Sequence, residues 1–228
     1  MTEPSEILKS AQESNLTTID EYNSKQLLAA YGIPVVKEGI ARDWEEIKKI
    51  ASQIGYPVVL KLCNPEITHK TEKKLIEIDL RNEGDLKTAF QRLDALAKEL
   101  GGDLLVQEMV KGAREFVIGM VRDPQFGPCV MFGLGGILTE ILHDVSFRVA
   151  PIEMYDALEM MKEIKGHKAL DAIRGMEAVD REALGQSLIA LGNIGMAYDA
   201  IKEIDVNPMI IKGDKPIAVD ALIVLDNG

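Results

Sequence analysis

Residues 57–72 read PVVLKLCNPEITHKTE. An apolar run carrying one charge, Lys61, is followed by a polar turn holding His69, one of three histidines in the chain. A short apolar run bounded by Gly55–Pro57 and a turn reads as a strand buried on both faces. An unpaired charge in such a strand is expensive, so Lys61 needs a partner. A lone histidine in a polar turn is by itself an ordinary loop residue, so the meaning of His69 depends on what surrounds it. Beyond the turn, LIEIDL (75–80) alternates and reads as a second strand.

Towards the N-terminus, residues 1–17 are polar with weak periodicity and read as an arm or short helix. Thr18 and Glu21 have capping-box spacing, and Ile19, Tyr22, Leu27 and Leu28 follow before Gly32 and Pro34 stop the helix. IPVVKEGI (33–40) reads as a strand. Asp43 and Glu46 repeat the capping-box spacing ahead of Trp44, Ile47, Ala51 and Ile54 on one helical face. A third helix is expected from Asp85 to Leu100, ended by Gly101–Gly102. Strands and helices alternate, so residues 18–109 read as a small α/β subdomain.

Towards the C-terminus the chain becomes strand-rich: DLLVQEMV (103–110), REFVIGMV (114–121), GPCVMFG (127–133) and FRVAPI (147–152). Helices are expected over 153–164 and 180–196, then strands KEIDVNPMII (202–211) and PIAVDALIVL (216–225), joined by the turn KGDK. The boundary falls near residue 110, leaving 110–228 as a second subdomain. The expected fold class is α/β.

The 228 residues carry a net charge of −11, with acidic and basic residues mixed along the chain and no basic stripe. That excludes a nucleic-acid-binding face while leaving room for a local phosphate pocket. Cys63 and Cys129 lie at the end of or within apolar runs and read as free thiols of a reducing compartment. The opening MTEPSE is no leader, and no apolar run is long enough for a bilayer, so a soluble cytoplasmic protein is expected.

Charged or polar residues stand in other apolar strands too. Asp205 and Asn207 sit in IDVNP, and Asp220 in IAVDALIV. Joined by a short turn, these strands can pair antiparallel, which brings Asn207 near Asp220 with Asp205 on the same face. Oxygen ligands of this kind suit Mg²⁺ with waters and phosphates completing its shell, and a strand lysine suits phosphate as a point charge. Each feature alone has a structural explanation; together they favour a Mg-nucleotide site. GLGG (133–136) is neither a Walker loop nor GxGxxG; Gly135 and Gly136 bring backbone N–H groups close to a phosphate or simply make a tight turn. Arg148, downstream with Glu140 and Asp144, is either an anion partner or half of a salt bridge.

These motifs occur together in a known family. YGIPV, IGYPVVLK, PEITHKTE, LVQEMV, REFVIGMVRDPQFGP, FGLGGILTEILHDVSFRVAP, IRG and EIDVNP, in that order, cover the chain from about residue 18. The sequence resembles the β subunit of ADP-forming acetyl-CoA synthetases, acyl-CoA ligases with an ATP-grasp fold of two α+β subdomains, and its ending is similar to the β subunit of succinyl-CoA synthetase. The resemblance implies that Lys61 contacts ATP phosphates. It makes Gln107, Glu108, Met109 and Val110 a hinge that holds adenine by backbone groups and ribose through Glu108. Glu115 falls on the nucleotide side, Asn207 and Asp220 hold Mg²⁺, and Asp205 lies beside the phosphoryl-transfer centre. His69 would carry a phosphoryl group between ATP or ADP and an α partner that binds CoA, in an α₂β₂ assembly. Neutral imidazole is nucleophilic near pH 7, and its phosphoramidate is energetic enough to phosphorylate ADP. His143 and His167 match no such motif.

In one place the chain departs from the family. After HKTE the family runs Val-Gly-Gly-Val, and here Lys73-Lys74-Leu75-Ile76 stand instead. Two charges that attract anions replace two glycines. The rival readings are an ATP-grasp carboxylate–amine ligase, which would not need His69, and a non-catalytic ATP-binding subunit.

Overall fold

The computed structural model describes residues 3–67, 75–136 and 144–226. The chain divides into two compact units. One comprises Met1–Ile19, Asn23–Val35 and Lys111–Gly228, and the other Asp20–Tyr22 and Val36–Val110.

The smaller unit is built on β2 (Glu38–Ala41), β3 (Val58–Cys63), β4 (Ile76–Leu80) and β5 (Asp103–Glu108), in the order β2-β5-β3-β4 with every pairing antiparallel. Val58, Leu60 and Leu62 face a core shared with Ile47 and Ala51 of α3 (Trp44–Ile54) and Leu86, Ala89 and Leu93 of α4 (Glu83–Leu100). Strand alternation turns Val59, Lys61 and Cys63 to the opposite face. The start of α3 is as its sequence expects. The Asp43 carboxylate accepts from the N–H of Glu46 at 2.9 Å, and the Glu46 carboxylate accepts from the N–H of Arg42 at 2.9 Å. α4 begins two residues earlier than expected because Asn82 is its cap, accepting from the N–H of Asp85 at 3.0 Å.

The larger unit carries, among the described residues, a seven-stranded sheet. β1 (Thr18–Ile19), β6 (Glu115–Asp123), β7 (Gly127–Leu134), β8 (Val145–Val149), β9 (Ile201–Lys212), β10 (Lys215–Ala218) and β11 (Leu222–Leu225) run in the order β1-β11-β9-β6-β7-β8, with β10 also on β9. Phe116, Ile118, Met120, Val130, Phe132, Ile204 and Val206 share a core with α5 (Met154–Glu163) and α6 (Arg181–Ala197). Gly195 of α6 lets helix and sheet approach so closely that an added Cβ would stand 2.7 Å from Pro128 Cβ.

Of the two readings of the N-terminal stretch, arm or short helix, the helix holds: it forms α1 (Pro4–Glu13), whose Ile7, Leu8 and Ala11 are buried in the larger core. Two expectations are corrected. Thr18 does not cap a helix: it pairs with Val224 in the sheet, and α2 (Glu21–Ala30) starts at Glu21. Residues 23–35, expected in the N-terminal subdomain, pack with the C-terminal one, because Leu27, Leu28 and Ile33 find their apolar partners in its core and Val35 bridges to Ala218.

Two arginines, Arg114 buried and Arg122 half-buried, brace the ends of β6. Arg122 donates to the carbonyls of Gly195, Tyr198 and Ile201, satisfying acceptors where α6 ends without a glycine cap. Arg114, 7% exposed, donates to the carbonyls of Ala169, Asp171, Glu177 and Gly213. Arg114→Met would leave buried acceptors without their donor and should destabilise the fold by about 2–4 kcal/mol. Urea unfolding measures that loss, and amide exchange should quicken over 169–177.

Candidate active site

β9 is the spine of the site. Ile204 and Val206 enter the core, so Glu203, Asp205 and Asn207 share the other face. Ala218 pairs with Met209, and Leu222 with Asp205. One register runs through both pairings and sets Asp220 opposite Asn207, as the sequence suggests. Val219 N–H donates to the Pro208 carbonyl at 3.0 Å, holding this register between β10 and β11. On its other side Asp205 pairs with Gly119, where a Cβ would meet the Ile204 carbonyl oxygen at 2.7 Å. Glycine at that position lets the β9 backbone approach β6 this closely.

Burial, and then the negative charges of Glu203 and Asp220, push the Asp205 carboxyl up to about 6. Carboxylates crowded in this way are what a divalent cation relieves. Among the described residues no group of three or more His, Cys, Asp and Glu side chains forms a metal site. Two carboxylates and an amide, Asp205, Asp220 and Asn207, are oxygen groups whose chemistry suits Mg²⁺ completed by waters and phosphate oxygens. Lys25, with no exposed surface, donates from Nζ to the Val219 carbonyl at 3.2 Å, immediately before Asp220.

The glycines of GLGG meet Glu115. Gly135 N–H donates to the Glu115 carbonyl at 2.8 Å, and a Cβ on Gly135 would lie 2.8 Å from the Phe116 nitrogen. Gly136 has φ +68°, and its Cβ position lies 2.9 Å from a Glu115 carboxylate oxygen. Here glycine is required by close approach to β6. Asp144 accepts from the N–H groups of Lys165 and Gly166, each at 2.7 Å, and so fixes the start of β8.

Arg148 does not join the Asp205 row. It is paired through both guanidinium nitrogens with Glu163 of α5, on the helix side of the sheet with Ser146. The local reason is strand parity: Ser146 and Arg148 share one face, and Val145, Phe147 and Val149 the other.

In the smaller unit, Lys61 Nζ lies 2.6 Å from Glu21 Oε1, with side-chain exposures of 4% and 1%. Gln107 is buried and Val110 nearly so. Glu108 N–H donates to the Lys37 carbonyl at 2.8 Å and Met109 N–H to the Pro57 carbonyl at 3.3 Å. Those two N–H groups are therefore occupied within the unit. His69 and Glu140 lie outside the described residues, as do Lys73 and Lys74.

Sequence reasoning missed Glu21, Lys25 and Glu203. The requirement that Lys61 have a partner was legible; which carboxylate supplies it was not.

The ATP-grasp domain family model matches residues 10–225. The β subunit of acetate–CoA ligase [ADP-forming] I of Pyrococcus furiosus is 43% identical over 225 residues, spanning 96% of this chain and 97% of the relative. Acetate–CoA ligase [ADP-forming] I of Archaeoglobus fulgidus is 39% identical over 204 residues, 87% of this chain but 30% of that longer protein. A solved structure of acetyl-coenzyme A synthetase 1 of Ca. Korarchaeum cryptofilum superposes with a TM-score of 0.87 at 39% identity, covering 98% of this chain and 100% of that one. That enzyme holds coenzyme A and Mg-AMPPCP, with its phosphohistidine segment pointing towards the nucleotide-binding site. This chain belongs to the ATP-grasp family, among the β subunits of ADP-forming acetate–CoA ligases.

Proposed function

We propose that this chain is the nucleotide-binding subunit of an ADP-forming acyl-CoA ligase, interconverting acid, CoA and ATP with acyl-CoA, ADP and phosphate. The observation that carries this reading is the β9 row: Asp205 and Asn207 on one face, with Asp220 set opposite Asn207. Asn207 and Asp220 would hold Mg²⁺, which when bound neutralises phosphate charge and orients the transferred group. Lys61 binds phosphate oxygens as a point charge. The segment Gln107–Val110 binds the base and Glu108 the ribose, with Glu115 on the nucleotide side.

His69 takes the phosphoryl group. In the acyl-CoA-forming direction a neutral ring nitrogen attacks the γ-phosphorus of ATP, an N–P bond forms, the bond to the bridging oxygen breaks and ADP leaves. The phosphoryl group then passes to an α partner that carries the CoA and acid chemistry. The β-subunit relative supports a separate partner, and the longer ligase, of which this chain matches 30%, carries further sequence that such a partner would supply. An α₂β₂ assembly in the cytoplasm completes the reading; no helix of the described residues is long and apolar enough to cross a membrane.

Acid-labile label is the direct test of the relay. With the α partner, Mg²⁺ and γ-labelled ATP, this chain should take up label that His69→Ala abolishes along with CoA-dependent ATP consumption. Unchanged CoA-dependent turnover in the mutant would refute the relay, and turnover supported by an amine in place of CoA would point to a carboxylate–amine ligase.

Asp220→Ala should weaken binding of MgADP by about tenfold or more, about 1.4 kcal/mol per decade, and leave metal-free ADP binding nearly unchanged. Calorimetry with and without EDTA separates the two.

Asp205 lends itself to a stability test in metal-free buffer. Its folded-state value of about 6 lies above the ordinary carboxylate range, so as pH falls through 6 the folded chain takes a proton that the unfolded chain does not. Wild type should therefore gain stability relative to Asp205→Asn between pH 7.5 and 5. The Asn variant should be the more stable at pH 7.5 and lose phosphoryl transfer; unfolding curves at the two pH values measure the narrowing.

A further inference from the structure

Two consecutive acidic residues at the start of α2 meet two same-face residues of β3. Asp20 Oδ1 accepts from Cys63 Sγ at 3.3 Å, and Glu21 Oε1 lies 2.6 Å from Lys61 Nζ. These contacts place Asp20–Tyr22 with the smaller unit while the rest of α2 packs elsewhere. All six residues of β3 are buried, so Lys61 has almost no water to solvate its charge. Burial alone drives a lysine towards the neutral amine. A carboxylate in hydrogen-bond contact keeps it an ammonium, and Glu21 is itself stabilised in the first turn of a helix, where the dipole favours negative charge.

We propose that Glu21 is the positioning residue of the phosphate-binding lysine, holding Lys61 in its charged form and fixing where its ammonium points. This rests on the reading that Lys61 binds nucleotide phosphates. Glu21 is as deeply buried as its partner, so a phosphate that stripped Lys61 from it would break a charge-assisted hydrogen bond inside the protein. An ammonium has three donors, so Lys61 can retain the Glu21 bond and still donate to a phosphate oxygen. Glu21 therefore stays bonded when nucleotide arrives. It is not a rival anion that the nucleotide displaces, and removing its charge weakens phosphate binding.

Calorimetry on the full chain tests this with two probes, MgADP and adenosine, the second lacking phosphate. Lys61→Met should reduce MgADP affinity about tenfold or more and leave adenosine binding unchanged. Glu21→Gln should do the same, and the double variant should bind MgADP no more weakly than Lys61→Met alone, since Glu21 acts only through Lys61. If Lys61→Met leaves MgADP affinity intact, the phosphate role of Lys61 fails and the proposal with it. If Lys61→Met weakens binding but Glu21→Gln leaves it equal or tightens it, Lys61 keeps its role and the Glu21 proposal is overturned. Equal losses of adenosine and MgADP in Glu21→Gln would make Glu21 a structural residue and also overturn it. Should Glu21→Gln fail to fold, Lys61→Met/Glu21→Met, which removes both charges, decides the matter. Affinity equal to Lys61→Met supports the proposal, and a further loss refutes it.

Discussion

The larger unit depends on β9. Its twelve residues pair with β6 along one edge and with β10 and then β11 along the other. A strand bonded on both edges cannot slip by one residue without turning every side chain to the wrong face. That constraint keeps Ile204 and Val206 in the core and Asp205 and Asn207 out of it. Since β10 and β11 follow one register across the Val219–Asp220 step, it also fixes Asp220 opposite Asn207. The Asn207–Asp220 juxtaposition is thus a property of strand pairing, and needs no loop to assemble it.

Around this spine the protein repeatedly uses buried or half-buried cations as braces. Arg114 and Arg122 gather backbone carbonyls at the two ends of β6. Lys25 holds the Val219 carbonyl, and Lys61 is held by Glu21. Buried charges of this kind are costly unless every one is bonded, which makes them poor sources of stability and good sources of geometric definition. Carboxylates on β9 go the other way. Asp205 is buried and crowded by Glu203 and Asp220, which together push its carboxyl up to about 6.

Much of the site was legible from local pattern. The buried strand VVLKLC, the alternating IEIDL, the Asp43 cap and the hairpin that pairs Asn207 with Asp220 all follow from periodicity, turn residues and short connections. Arg148 shows the limit: its residue type allows an anion site or a salt bridge, and strand parity at Ser146 decides for Glu163. Gly135 and Gly136 show another. Glycine signals a close approach without saying to what, and the neighbour is Glu115 of β6.

The amino-acid sequence by itself determined the elements, the family, and the fact that Lys61 must have a partner, because these rest on spacing within a few residues or on motifs read in order. Tertiary structure alone decided which carboxylate answers Lys61, why Thr18 joins a sheet when its spacing suggests a cap, and why Leu27, Leu28 and Ile33 leave their sequence neighbours for the larger core. Those outcomes are competitions between segments far apart in the chain. Buried area and charge pairing settle them, and neither is a function of local sequence.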